Sequence, residues 1–263
     1  MTNPIVQVDA FASGAFRGNP AAVCLLAAAA DEEWMRRVAR ETNMPATAFV
    51  HATGGGFALR WFTTAGELEL CGHGTLATSH VLWETGRVKH DEPARFETRG
   101  GSLTATRSGG WIELDFPAKP DETIAPPPEL LGALKVGATY VGRSHFDVIV
   151  EVEHEEIVRA LQPDFGRLRS VEARGVIVTS RSASADCDFV SRFFAPAVGI
   201  DEDAVTGSAH CCLGPYWSRR LGKTSFVAHQ LSSRGGVVRV AVAGDRVRLG
   251  GQAITVVRGE LIV

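Results

Sequence analysis

A chain of 263 residues is long enough for one large domain or two small ones. Hydrophobic residues make up 45% and charged residues 22%, proportions that argue against disorder and low-complexity scaffolding. With 27 basic and 30 acidic side chains the formal charge is −3, so no strong field exists to draw in nucleic acid or an anionic membrane.

In chain order, the first segment to read as a strand is 5–11. The apolar run 21–30 stops at Asp31-Glu32-Glu33 and is too short to span a bilayer. No basic stretch precedes Asp9, so no secretory signal is expected. Asp31 is placed to cap a helix over 32–41, with Trp34, Val38 and Ala39 as its apolar stripe. Strands are expected at 57–63, 95–98, 102–106 and 111–116. Segment 118–128 carries Pro120, Pro126, Pro127 and Pro128 and is the best linker candidate, dividing the chain nearly in half. Beyond it, short helices are expected at 128–134 and 153–161, and strands at 146–152, 175–179 and 188–194. Three more strands follow near 237–242, 246–249 and 253–257, as in a largely antiparallel sheet protein.

The halves resemble each other. Arg60-Trp61-Phe62-Thr63 reappears as Arg192-Phe193-Phe194-Ala195, and the turn Cys71-Gly72-His73-Gly74-Thr75 as Thr206-Gly207-Ser208-Ala209-His210. Each copy reads as strand, loop, then a glycine opening a helix of small residues. Two matches in the same order argue for duplication, hence two domains with pseudo-twofold symmetry and equivalent loops facing a cleft, a favoured place for a small ligand.

Each glycine turn frees backbone N–H groups at a helix start, where the macrodipole favours negative charge. Two such turns could hold a carboxylate without Arg or Lys. Gly72, Gly74, Gly207 and Ala209 permit the close approach, although tight strand-to-helix connections alone would use the same residues. His73 has a side chain suited to proton transfer near neutral pH. Asp203 is a candidate base or a partner that orients His73. Ser208 reads either as a hydrogen-bond donor to the substrate or as a helix cap. Glu202 is expected in solvent. Cys71 precedes the first turn and is either a buried packing residue or an acid/base aided by the helix terminus. Its counterpart is Thr206, too weak a base for a two-thiol mechanism. The five cysteines form no C-x-x-C pair and the eight histidines show no metal spacing, so no disulfide framework, metal or organic cofactor is expected. A reducing cytoplasm fits best.

Together these stretches resemble the PhzF (phenazine biosynthesis-like) family. The matching strings are Val8-Asp9-Ala10-Phe11 with Phe16-Arg17-Gly18-Asn19-Pro20, Arg60-Trp61-Phe62-Thr63, the Cys71 and Thr206 turns, Ser233-Arg234-Gly235-Gly236 and Gly251-Gln252-Ala253. The resemblance implies the diaminopimelate epimerase-like α/β (α+β) fold: two similar domains, each a mostly antiparallel barrel-like sheet around a central helix. The division expected is 1–118, with the C-terminal strand 259–263 a candidate to complete it, and 119–258. By the same resemblance His73, Asp203 and Ser208 match catalytic positions. Substrate binding falls to Asn19, Cys71, Gly72, Gly74, Thr75, Thr206, Gly207 and Ala209. The implied protein is a homodimer acting on a small carboxylate by cofactor-independent proton transfer. Where the family carries a catalytic glutamate, this chain has Ala46, so two readings stay open: an isomerase or racemase-like enzyme, and a non-catalytic small-molecule-binding protein on the same fold.

Overall fold

The computed structural model describes residues 2–263, which divide into two units. Unit 1 takes the chain up to Asp115 together with Gly250–Val263, and unit 2 is Phe116–Leu249.

Unit 1 begins with β1 (Asn3–Ala10) and β2 (Asn19–Leu25), paired antiparallel. The loop between them turns through Gly18 at φ +68°, where a Cβ would stand 2.2 Å from the Ala10 carbonyl oxygen. Next comes α1 (Glu32–Thr42), capped by Asp31, whose Oδ1 accepts from the Trp34 amide at 3.0 Å. It buries Met35, Val38 and Ala39 against Cys24, Phe49 and Phe62. Then follow β3 (Thr47–Thr53), β4 (Gly56–Phe62) and the short β5 (Glu67–Leu68). Helix α2 (Gly72–Glu84) leads to β6 (Ala94–Thr98), β7 (Gly101–Ser108) and β8 (Trp111–Pro117). Most pairings are antiparallel, but β2–β3 and β4–β6 are parallel.

Helix α2 has almost no polar face. Its buried residues include Thr75, Thr78 and Ser79 alongside Leu76, Ala77, Val81 and Leu82. Those hydroxyls are satisfied within the helix, donating to the carbonyls of Cys71, Gly74 and Thr75 at 2.7–2.8 Å. A helix of small residues can thus be buried with its polar atoms spoken for.

Unit 2 repeats the plan. It holds β9 (Glu122–Thr123), α3 (Leu130–Leu134), β10 (Tyr140–Arg143) and β11 (Asp147–Glu151). After α4 (Glu155–Ala160) and α5 (Phe165–Leu168) come β12 (Gly175–Arg181), β13 (Phe189–Ala195) and β14 (Ile200–Asp203). Helix α6 (Gly207–Leu221) is followed by β15 (Ser225–Gln230), β16 (Gly236–Ala243) and β17 (Arg246–Gly251). Here β11–β12 and β13–β15 are the parallel pairs, in the places that β2–β3 and β4–β6 hold in unit 1. Leu130, Val148, Val150, Val178 and Phe194 anchor its core.

Two expectations change. Segment 118–128 is not a loose tether: its β9 pairs with β10, and the buried Asp121 accepts from Tyr140 Oη and Arg219 Nη2, each at 2.6 Å. Its Lys119 amide donates to the Cys211 carbonyl at 2.9 Å. Pro215, four residues on, lacks the N–H that this carbonyl would otherwise take in a regular helix. The segment that closes unit 1 is longer than 259–263, since β18 (Ala253–Leu261) pairs antiparallel with the whole of β1. Seven strands, β2, β3, β5, β9, β10, β14 and β15, lie outside the segments expected from the sequence. β2 is apolar without alternation, as befits a strand buried between β1 and β3.

Candidate active site

Each unit carries a strut ahead of its glycine turn. On β4, Arg60 Nε donates to Glu67 Oε1 at 2.7 Å, with the guanidinium 5.1 Å from the Phe62 ring centre. On β13, Arg192 Nε donates to Glu202 Oε1 at 2.7 Å, with its guanidinium 5.0 Å from Phe194. The first pair lowers the Glu67 carboxyl's pKa, chiefly through the Arg60 hydrogen bond. The expectation of a solvated Glu202 is therefore corrected: its side chain is only 20% exposed and forks onto Arg192.

In unit 1, Cys71 is the extended residue before α2 and has no side-chain capping bond. It is buried, and its Sγ lies 3.6 Å from His73 Nδ1 and 3.8 Å from Nε2. Gly72 opens the helix, and Gly74 is pressed against a buried tryptophan: a Cβ there would stand 2.7 Å from Trp61 Cδ1 and 3.0 Å from Cys71 Sγ. Thr75 spends its hydroxyl on the Cys71 carbonyl. Asn19 is buried at the start of β2, opposite Ala10. Ala46 is fully buried, with its carbonyl accepting from the Ala22 amide at 2.9 Å.

In unit 2, Thr206 occupies the extended position before α6. Its Oγ1 donates to Asp203 Oδ2 at 2.6 Å, so the counterpart of Cys71 holds a carboxylate in place. Gln230, 1% exposed, ties the turn together. Its Oε1 accepts the Thr206 amide at 2.8 Å, and its Nε2 donates to the Asp203 carbonyl at 2.8 Å and to Thr206 Oγ1 at 3.2 Å. Gly207 and Ala209 are buried in the first turn of α6. Ser208 does not serve as the cap; its Oγ accepts from Arg174 Nη2 at 2.9 Å. Arg174 in turn forks onto the buried Asp147, Nε to Oδ1 at 2.9 Å and Nη2 to Oδ2 at 2.5 Å. Burial pushes the Asp147 carboxyl up, while Arg174 and the Gly175 amide pull it down. A guanidinium thus stands at a turn for which the sequence suggests backbone donors alone. Arg174, Asp147 and Gln230 escape sequence reasoning because no local pattern ties them to the turn.

One turn further on, His210 is fully buried with Nδ1 2.8 Å from the Thr206 carbonyl. A carbonyl only accepts, so Nδ1 carries the proton. Nε2 has no hydrogen-bond partner, and burial lowers the pKa to about 4. Among the described residues no group of three His, Cys, Asp or Glu side chains is placed to hold a metal ion, and no helix is long and apolar enough to cross a membrane.

Two units of matching strand plan, each with a small-residue helix opened by glycine, define the epimerase-like α/β fold. A hydroxyproline epimerase of Agrobacterium vitis shares that fold at a TM-score of 0.66 with 11% identity, over 99% of this chain and 92% of that one. The chain belongs to the phenazine biosynthesis-like (PhzC-PhzF) protein family, whose family model matches residues 8–259. It is 50% identical to an uncharacterized isomerase of Halalkalibacterium halodurans across 100% of both chains. The crystal structure of a PhzF-family protein from Enterococcus faecalis matches at a TM-score of 0.96 with 40% identity, again over 100% of each.

Proposed function

We propose that this protein is an isomerase or racemase-like enzyme that moves a proton on a small carboxylate without a cofactor. Family membership and full-length relatives that bear the name isomerase support the class. The observation that carries the chemistry is the Cys71–His73 contact at 3.6 Å, a thiol and an imidazole together at the start of α2. Thiol and imidazole exchange a proton readily, and a helix N-terminus favours the thiolate.

In this reading His73 and Asp203 move the proton, aided by Cys71. The amides of Gly72 and Gly74 in unit 1, and those of Gly207 and Ala209 with the Ser208 hydroxyl in unit 2, are each read as donors to an anion, with Asn19, Thr75 and Thr206 as further substrate-binding residues. The Cys71–His73 pair takes the part of the carboxylate that Ala46 cannot supply. The same reading makes the protein a cytoplasmic homodimer, which light scattering on the eluted protein tests.

Incubation in D₂O with a panel of small amino, hydroxy and unsaturated acids should show C–H exchange with at least one. His73→Asn and Asp203→Asn should each slow it by about 10²–10⁴. The fully buried Ala46 favours a second reading, a binding protein that retains the fold. Bound acid with no exchange anywhere in the panel would establish that second reading over the first.

A further inference from the structure

Arg174 has five N–H donors, of which three are spent. Nε and one Nη2 hydrogen go to Asp147, the other Nη2 hydrogen to Ser208 Oγ, and Nη1 makes no hydrogen bond among the described residues. The guanidinium is held in place. Its carboxylate partner is buried, and its Cζ lies 4.8 Å from the Phe146 ring centre and 5.7 Å from that of Phe193. The next residue is glycine because a Cβ there would stand 2.3 Å from Phe193 Cζ. Yet the side chain stays 36% exposed, so its unspent edge is within reach of a ligand.

Two consequences follow from donor geometry. Ser208 Oγ accepts from a cation, so its own hydrogen is turned outward as a donor. Ser208 also sits on the end-on edge shared by Nη2 and Nη1, so a group that takes the serine hydrogen lies beside an Nη1 N–H. We propose that Arg174 is the anion-reading residue of the Ser208 turn: it holds the hydroxyl as a donor and offers Nη1 to the same carboxylate, selecting an acid over its amide or ester. This deepens the proposed function and rests on its reading of Ser208 as a ligand contact.

Soaking crystals of the intact protein in malonate tests it. A carboxylate accepting from both Ser208 Oγ and Arg174 Nη1 is expected. Arg174→Gln strands the buried Asp147, so the paired variant Asp147→Asn with Arg174→Gln, which removes both charges, keeps the comparison if the single variant fails to fold. That pair should lose the malonate, and Arg174→Lys should keep part of it. An empty edge in the wild type, or malonate held identically by the paired variant, overturns the role of Arg174. Malonate on the Gly207 and Ala209 amides alone also overturns it but leaves the proposed function standing, which falls only with absent exchange in D₂O. For whichever acid exchanges, KM should rise about 10- to 100-fold in the paired variant with kcat changed less; an unchanged KM overturns the proposal.

Discussion

Gln230 clamps Thr206 through both ends of its carboxamide, accepting the backbone amide at 2.8 Å and donating to the hydroxyl at 3.2 Å. The same Nε2 holds the Asp203 carbonyl, so one side chain at the end of β15 fixes the turn between β14 and α6. Gln230→Leu should strand the buried Thr206 N–H and weaken the hold on the part-buried Asp203 carbonyl, at about 1–3 kcal/mol, read as a loss in urea-unfolding free energy. Gln230→Glu should fare little better, because a carboxylate can take the Thr206 amide but has nothing to donate to Asp203.

Gly74→Ala is expected to be costly despite its helical setting. The added methyl meets a Trp61 ring that is 1% exposed and has no room to swing. Overpacking of this kind costs about 1–3 kcal/mol. Gly14, where an added Cβ would meet nothing within 4 Å, is the matched control. Thermal unfolding of the two variants should separate them by several degrees, and equal midpoints would contradict the packing described.

Acid should destabilise the protein partly through His210. The folded-state pKa is about 4 against an ordinary 6.5, so between those values the unfolded chain binds a proton that the native one refuses. Stability therefore falls as pH drops from about 6.5 toward about 4, by up to about 1.4 kcal/mol per unit from this one group. His210→Asn, which keeps a donor for the Thr206 carbonyl, should flatten the dependence by close to one proton. A slope unchanged in that variant would show that His210 is not its source.

The ion pairs should differ sharply in worth. Glu202→Gln breaks a fork whose arginine is 11% exposed, at an expected cost of about 2–4 kcal/mol, somewhat below a fully buried pair. Glu33→Gln removes an exposed pair with Arg37 and should change stability by less than about 0.5 kcal/mol. Equal effects at the two positions in denaturant titrations would count against the strut.

The repeat is legible in the sequence because each copy is a local string: Arg60-Trp61-Phe62-Thr63 ahead of the Cys71 turn recurs as Arg192-Phe193-Phe194-Ala195 ahead of the Thr206 turn, whereas the Glu67 and Glu202 ends of the struts carry no such signal. Helix α1 is legible for the same reason, its cap and stripe lying in one short window. What escapes is non-local. Arg174 reaches Ser208 from 34 residues away and Gln230 reaches Thr206 from 24, and neither stands in a motif. Segment 118–128 misleads because its prolines signal a tether, whereas Asp121 docks it and Lys119 completes α6 at Pro215. Strand β2 hides in a run of apolar residues that periodicity cannot separate from a buried helix.

The ladder between β1 and β18 joins Asn3 to Leu261. During synthesis the first strand of unit 1 must therefore wait for a strand made after the whole of unit 2, while the uninterrupted stretch Phe116–Leu249 is already free to fold. Until then β1 presents an unpaired edge to the cell, and the later-made unit is the one that can mature first.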